Sequence, residues 1–327
     1  MKILLAPLSW VSIWAMPAPD RRRIIDAFPQ HQFADVYTRD DVTRELDDAE
    51  VAFVPGLKGS EITRATRLRW IHTQAAGVGH MLTPELIASD IVLTNSRGVR
   101  APAIAEHVIG MVLVLARQLH TLLEHQRARH WAQEEMDLSG RMWTLRGRTM
   151  GIVGLGSIGE GVAKLAAVFG MTVIAIRRRV DASPVDGVRE IWPPERLHDL
   201  LAASDVVVLT VAHTPETEGL IGERELRAMK PNAVIVNVGR GSLIQEPALI
   251  AALQAGTIGG AALDVVAEEP LDRDSPLWSL PNVLISPHVS GTIERYWESS
   301  ADLFMDNLRR FETGQPLLNV VDKHAGY

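Results

Sequence analysis

The sequence predicts an α/β protein built from two doubly wound parallel-sheet domains, one inserted in the other. Three observations predict it. Short apolar runs alternate with helical stretches in two separate series, a glycine-rich turn opens the second series, and the last run is followed by a single helix and a tail, too little for a domain of their own. At 327 residues the chain exceeds one ordinary core, and its 46% apolar content supplies enough burial to order it throughout.

In the first series the runs are residues 3–6, 33–37, 51–54, 70–73 and 91–94, spaced to leave a crossover helix between neighbours. Residues 101–123 read as one long helix, without Gly or Pro after Gly110, that carries the chain into the next domain. The stretch 124–148 is polar, punctuated by tryptophans and without a period, and reads as an extended arm of the kind that covers a partner subunit. The rhythm resumes with six strands at 150–153, 172–176, 205–210, 233–237, 260–264 and 283–286. A helix over 293–311 and a tail ending Asn319-Val320-Val321-Asp322 then return to the first domain. The predicted domains are 1–98 with 289–327, of flavodoxin-like design, and 99–288 inserted between them.

Composition narrows the partners. A net charge of −7 disfavours nucleic acid and anionic membranes, which select a dense basic face. The basic run Arg21-Arg22-Arg23 reads as a solvated helix face. With no cysteine, disulfides, thiolate metal sites and cysteine nucleophiles are excluded, and a reducing cytoplasm is the expected location. The first six residues read as a buried strand rather than a leader, and His107 and Arg117 bracket the apolar run 108–115 too closely for a membrane span.

Gly154-Leu155-Gly156-Ser157-Ile158-Gly159 follows a predicted strand and opens a helix whose Ile158, Val162, Leu165, Ala166 and Phe169 share a face. In that setting the pattern reads as the phosphate loop of a Rossmann dinucleotide-binding domain. Gly154 permits the turn, Gly156 admits a pyrophosphate to the backbone, Gly159 allows close packing, and the helix N-terminus favours the phosphate charge. The next strand, 172–176, should end in a carboxylate if it reads the ribose hydroxyls of NAD; it ends in Arg177-Arg178-Arg179. A guanidinium holds a 2′-phosphate in paired bonds, so NADP(H) is the expected coenzyme, with NAD(H) or an unread ribose beside a solvated loop as the alternatives.

Three further segments carry ionisable residues at strand ends, where open α/β sheets bind ligands: Asn237-Val238-Gly239-Arg240-Gly241, 264–270 and 286–291. Hydride transfer at a carbonyl needs a proton partner, a cation for the substrate anion and oxygen, and a group that tunes the proton partner. His288, Arg240 and Glu269 are one of each.

These segments, the glycine loop, Gln74-Ala75-Ala76-Gly77-Val78, Thr94-Asn95 and Ala105-Glu106-His107 together resemble the D-isomer-specific 2-hydroxyacid dehydrogenase family over nearly the whole chain. The resemblance implies hydride transfer between NADP(H) and a small 2-keto or 2-hydroxy acid, with 1–98 and 289–327 as the substrate domain and 99–288 as the dinucleotide domain. It implies that His288 is the general acid of keto-acid reduction and the base of the reverse reaction, and that Glu269 hydrogen-bonds the imidazole and favours its charged form. Arg240 would bind the substrate carboxylate and keto oxygen, and the Ala76 and Gly77 amides would complete that cradle. Ser157, Ile158, Arg177, Arg178 and Val238 would line the cofactor, and Asp264 would face the nicotinamide amide or else cap a turn.

The resemblance also implies a homodimer, with the long helix and the arm containing Trp131 crossing to the partner. No metal is expected, and histidines such as His72, His107, His125 and His130 read as structural or solvated. Thr210-Val211-Ala212 departs from the His-x-Pro of many members, and Val266 from the usual Phe. Glyoxylate and hydroxypyruvate are the first expected substrates, because an NADP-type pocket suits reduction. Phosphite oxidation is compatible with Glu269, whereas formate oxidation wants Gln there; a nucleotide-sensing corepressor would be expected to extend well past Tyr327.

Overall fold

The computed structural model describes residues 1–8, 15–180 and 184–326; Tyr327, weighed above as the chain end, lies outside the described residues. The chain divides into two units, Met1–Val99 with Ile293–Tyr327, and Arg100–Thr292.

In unit 1 every apolar run becomes a strand: β1 (Lys2–Leu5), β2 (Gln32–Asp35), β3 (Val51–Phe53), β4 (Trp70–Thr73) and β5 (Val92–Asn95). They pair in parallel in the order β2-β1-β3-β4-β5, the flavodoxin-like arrangement. Helices α1 (Ala18–Ala27), α2 (Arg39–Glu45), α3 (Gly59–Arg64) and α4 (Pro84–Ala88) make the crossovers. Ile3 and Leu5 enter one core and Leu4 and Ala6 the other, so the run 3–6 is apolar at every position because both faces of the sheet are covered. Arg21 corrects the solvated-face reading of its run: it is 1% exposed, with Nε 3.1 Å from Asp35 Oδ1 and its guanidinium carbon 4.1 Å from the centre of the Tyr37 ring. Arg22 and Arg23 are exposed as expected.

Unit 2 opens with α5 (Ala101–Ala116), α6 (Leu119–Arg127) and α7 (Gln133–Leu138), which correct two expectations. The long helix breaks at Gln118, where φ is 52 and the chain bends by 65°. Neither Gly nor Pro marks the break; the Gln118 side-chain amide donates to the Leu115 carbonyl at 2.8 Å and helps satisfy the end of α5. The supposed extended arm contains the end of α6 and all of α7, short polar helices whose few apolar positions hide their period. Among the described residues no single helix is long and apolar enough to cross a membrane.

The second sheet has seven strands rather than six: β6 (Thr149–Val153), β7 (Thr172–Ile176), β8 (Glu190–Trp192), β9 (Val206–Leu209), β10 (Val234–Asn237), β11 (Gly260–Leu263) and β12 (Val283–Ile285). Their order, β12-β11-β10-β9-β6-β7-β8, reverses direction between β6 and β9, the switch point of a Rossmann sheet. Strand β8 escaped the pattern because it is three residues long, partly exposed and at the sheet edge, so it needs no apolar run. Helix α8 (Ser157–Val168) packs with α5 on one face, and α9 (Leu197–Ala203), α10 (Glu223–Ala228) and α11 (Glu246–Gln254) cover the other. In unit 1, the returning α12 (Tyr296–Glu312) stacks Phe304 on Trp70 at 5.2 Å between ring centres.

Candidate active site

The glycine loop joins β6 to α8 at the switch point of the unit 2 sheet. Gly154 has φ 104, and a Cβ there would lie 2.7 Å from the Val211 amide nitrogen, so the turn admits no side chain. The Gly154 and Leu155 amides donate to the Ile176 carbonyl at 3.0 and 3.2 Å, and the Thr210 hydroxyl donates to the Gly154 carbonyl. Thr210, noted above only as a departure, therefore holds the loop.

Gly156 is different: a Cβ there would meet none of the described residues within 4 Å. Packing among the described residues does not require a glycine here, whereas close approach of a phosphate to the backbone would. Gly156 and Ser157 are exposed, Ile158 is partly exposed, and Gly156 caps α8 without a side-chain acceptor. The loop thus fits a dinucleotide pyrophosphate, with the first amides of α8 as donors. Arg177 is the residue after Ile176, whose carbonyl anchors the loop, and its amide donates to the Trp192 carbonyl at 3.1 Å. Arg178 Nη2 lies 3.9 Å from Glu216 Oε2 across exposed surface. Arg177, Arg178 and Arg179 thus follow the C-terminal end of β7, beside the glycine loop.

The ends of β10, β11 and β12 carry the remaining unit 2 residues. Asn237 is 1% exposed; its side-chain oxygen accepts from the Gly239 amide at 3.1 Å and its nitrogen donates to the Arg240 carbonyl at 2.8 Å. This brace folds the chain after β10 so that Val238 is buried and Arg240 is exposed, with its Nη1 donating to the Gly239 carbonyl at 2.7 Å. A Cβ at Gly241 would overlap the Val266 carbonyl, so the Arg240 segment lies directly against the one that leads to Glu269.

His288 Nδ1 lies 2.7 Å from Glu269 Oε2, and the Val266 amide donates to Glu269 Oε1 at 3.4 Å. Each oxygen of the carboxylate has a partner, so the imidazole is held through Nδ1 and Nε2 is left for other chemistry. His288 has φ 54, a left-handed conformation that costs a non-glycine residue free energy and is held here by neighbours. The holder is Asp264, 2% exposed. Its carbonyl accepts from the His288 amide at 2.8 Å, and its Oδ1 accepts from the amides of Val289 and Ser290 at 3.0 and 3.1 Å and from the Ser286 hydroxyl. The Ser286 hydroxyl is in turn 2.9 Å from His107 Nε2. The Asp264 carboxylate is thus occupied in capping the turn that presents His288. Ser286 and His107 belong to that support, which spacing alone did not reveal because they lie 179 residues apart.

In unit 1, Ala76 and Gly77 follow β4 and are exposed. The Ala76 carbonyl accepts from the Asn95 side chain at 2.6 Å, and the Ala75 carbonyl from the Ser96 amide at 3.1 Å. Among the described residues the amides of Ala76 and Gly77 donate to no protein group, which leaves them available to an anion. His72, on β4, is fully buried between the hydroxyls of Thr94 (2.8 Å) and Ser96 (3.3 Å), and burial pushes its pKa down to about 3.

The family described as "D-isomer specific 2-hydroxyacid dehydrogenase, NAD binding domain" matches residues 109–290, which include the glycine loop, Arg240, Glu269 and His288. A glyoxylate reductase from Thermococcus gammatolerans is 34% identical over 285 residues, 86% of this chain and 84% of that protein. A probable 2-hydroxyacid dehydrogenase from Rhizobium etli, solved with NADP, HEPES and tartaric acid, superposes with a TM-score of 0.83 at 28% identity, covering 100% of this chain and 99% of that one. An NADPH-dependent glyoxylate/hydroxypyruvate reductase from Sinorhizobium meliloti, solved with NADP and sulfate, gives 0.82 at 26% identity over 100% of both chains. On these findings the chain belongs to the D-isomer specific 2-hydroxyacid dehydrogenase family of NAD(P)-dependent oxidoreductases.

Proposed function

We propose that this oxidoreductase uses NADPH to reduce small 2-keto acids of the glyoxylate and hydroxypyruvate class to D-2-hydroxy acids, and that it acts as a homodimer. The observation that carries the reading is the His288–Glu269 pair, 2.7 Å apart and presented on a pinned turn. Bound NADPH supplies the hydride. His288 Nε2 is assigned to give the proton to the keto oxygen, with Glu269 fixing the ring through Nδ1 and complementing the charge the ring carries before it donates. Arg240 is assigned to the substrate carboxylate and the developing oxyanion. In unit 1 the exposed Ala76 and Gly77 amides are assigned to carboxylate binding.

For the coenzyme, the Gly156, Ser157 and Ile158 backbone is assigned to the pyrophosphate, Arg177 and Arg178 to the 2′-phosphate, and Val238 to the nicotinamide end. Asp264 is assigned the support of the His288 turn beside that end. The NADP bound by the Rhizobium etli and Sinorhizobium meliloti proteins supports this coenzyme, as their names and that of the Thermococcus protein support the substrate class. The exposed Leu123, Trp131 and Leu138 on and between α6 and α7 support a subunit contact there. A panel of 2-keto acids assayed with NADPH and NADH tests the proposal. Highest efficiency for a two- or three-carbon keto acid with NADPH is expected; a clear NADH preference overturns the coenzyme assignment, and activity confined to phosphite overturns the substrate class.

A further inference from the structure

The turn between α6 and α7 brings together three side chains that the proposed reaction does not use. On an unbroken helix His125 and His130, five residues apart, would point about 140° away from each other. The helix ends before that happens. Arg129 takes φ 55, its amide donates to the Gln126 carbonyl at 3.0 Å, and the His130 amide donates to the His125 carbonyl at 2.9 Å. This is the paired-bond Schellman ending of a helix, with an arginine where glycine is usual. It folds His130 back over His125, leaving the ring centres 5.2 Å apart.

Glu135, in the first turn of α7, meets both rings. His130 Nε2 lies 3.2 Å from Glu135 Oε2, and His125 Nε2 lies 3.9 Å from Oε1. Both rings thus present the same nitrogen to one carboxylate, and one ligand atom from each of the three residues lies within 4.8 Å of the others. Donors around a tetrahedral zinc ion sit about 3.3 Å apart, so small rotations of partly exposed side chains would bring all three to bonding distance. Beside them a groove of about 470 Å³, lined in part by Thr121, Ser139 and Arg141, borders His125 and Glu135.

We propose that His125, His130 and Glu135 form a binding site for a divalent transition-metal ion of the zinc class, which clamps the end of α6 to the start of α7. Two imidazoles and one carboxylate select zinc, cobalt or nickel over magnesium and calcium, which prefer an all-oxygen shell. The site is separate in residues from the hydride-transfer machinery. It replaces the expectation that His125 and His130 are merely structural or solvated.

The test uses full-length protein stripped with a chelator and desalted, then titrated with cobalt(II) and followed by its visible absorption, with zinc(II) displacement read by calorimetry. One ion per chain is expected, with the d–d spectrum of a four- or five-coordinate site and no competition from a large excess of magnesium. His130→Ala and Glu135→Gln are each expected to weaken binding by roughly tenfold or more, and His125→Ala with His130→Ala to abolish it. His80→Ala, elsewhere on the surface, is expected to leave it intact. All are exposed or partly exposed positions, and circular dichroism checks that each variant is folded. Absence of saturable cobalt uptake, or uptake unchanged in the double histidine variant, overturns the site.

Discussion

The amide of His288 donates to the carbonyl of Asp264 at 2.8 Å, while the Asp264 carboxylate accepts the amides of the next two residues, Val289 and Ser290. One buried side chain therefore fixes a left-handed histidine whose ring must point in one direction. Asp264→Ala strands two amides and a hydroxyl. It is expected to lower stability by about 2–4 kcal/mol in urea unfolding and to reduce kcat in the fraction that remains folded. Asp264→Asn, which keeps one acceptor, is expected to recover part of both.

Among the described residues Glu269 hydrogen-bonds the exposed His288 ring and the Val266 amide, so its removal should spare the fold. Glu269→Gln keeps the shape and removes the charge. We expect kcat to fall roughly 10- to 100-fold with little change in KM for the keto acid, and His288→Ala to fall by about 100-fold or more. Steady-state kinetics at saturating NADPH measures both.

Gly156 and Gly154 separate cofactor binding from folding. The space around a Gly156 Cβ is empty of the described residues, so Gly156→Val should keep the wild-type Tm and raise the Kd for NADPH at least tenfold, on the order of one lost phosphate contact. Gly154→Val should fail to fold or melt far earlier, because the side chain collides with the backbone of Val211. Fluorescence titration and thermal melts distinguish them.

Arg177→Asp replaces the guanidinium with the carboxylate that ribose hydroxyls favour. The ratio of kcat/KM for NADPH to that for NADH is expected to fall by about 100-fold or more, through both numerator and denominator. An unchanged ratio would assign the 2′-phosphate to another residue.

His72 makes unit 1 sensitive to acid. Its folded pKa is about 3 against an ordinary 6.5, so below pH 6.5 the unfolded chain takes up a proton that the folded chain refuses. Stability attributable to this group is full above pH 6.5 and is lost progressively as pH falls toward 3. The loss amounts to about 2 kcal/mol by pH 5. Urea midpoints at pH 7 and pH 5 should differ accordingly, and His72→Gln should narrow the difference.

Strands buried on both faces were legible because they must be apolar at every position, as in 206–209 and 3–6. Strand β8 was not, since Glu190–Trp192 lies at an edge where one neighbour suffices. The break at Gln118 and the fold-back at Arg129 were hidden for a shared reason: each places a non-glycine residue at positive φ, which local composition does not announce. Arg21 looked solvated because the spacing of a helix does not reveal that Asp35, at the end of β2, and Tyr37, just past it, will cover it. In the candidate site, motif spacing named Arg240, Glu269, His288 and the glycine loop. The supports Thr210, Ser286 and His107 act through contacts between segments distant in the chain, which only coordinates bring together, whereas Asn237 braces its own turn through short-range bonds to Gly239 and Arg240.

Transfer of label from coenzyme to product tests the central claim most directly. NADPH carrying deuterium at the transferable position of nicotinamide C4 is incubated with hydroxypyruvate and the enzyme, and the product is resolved by chiral chromatography with mass detection. The account predicts D-glycerate carrying one deuterium at C2. An L-product, a product without deuterium, or no turnover of hydroxypyruvate or glyoxylate with NADPH would contradict it.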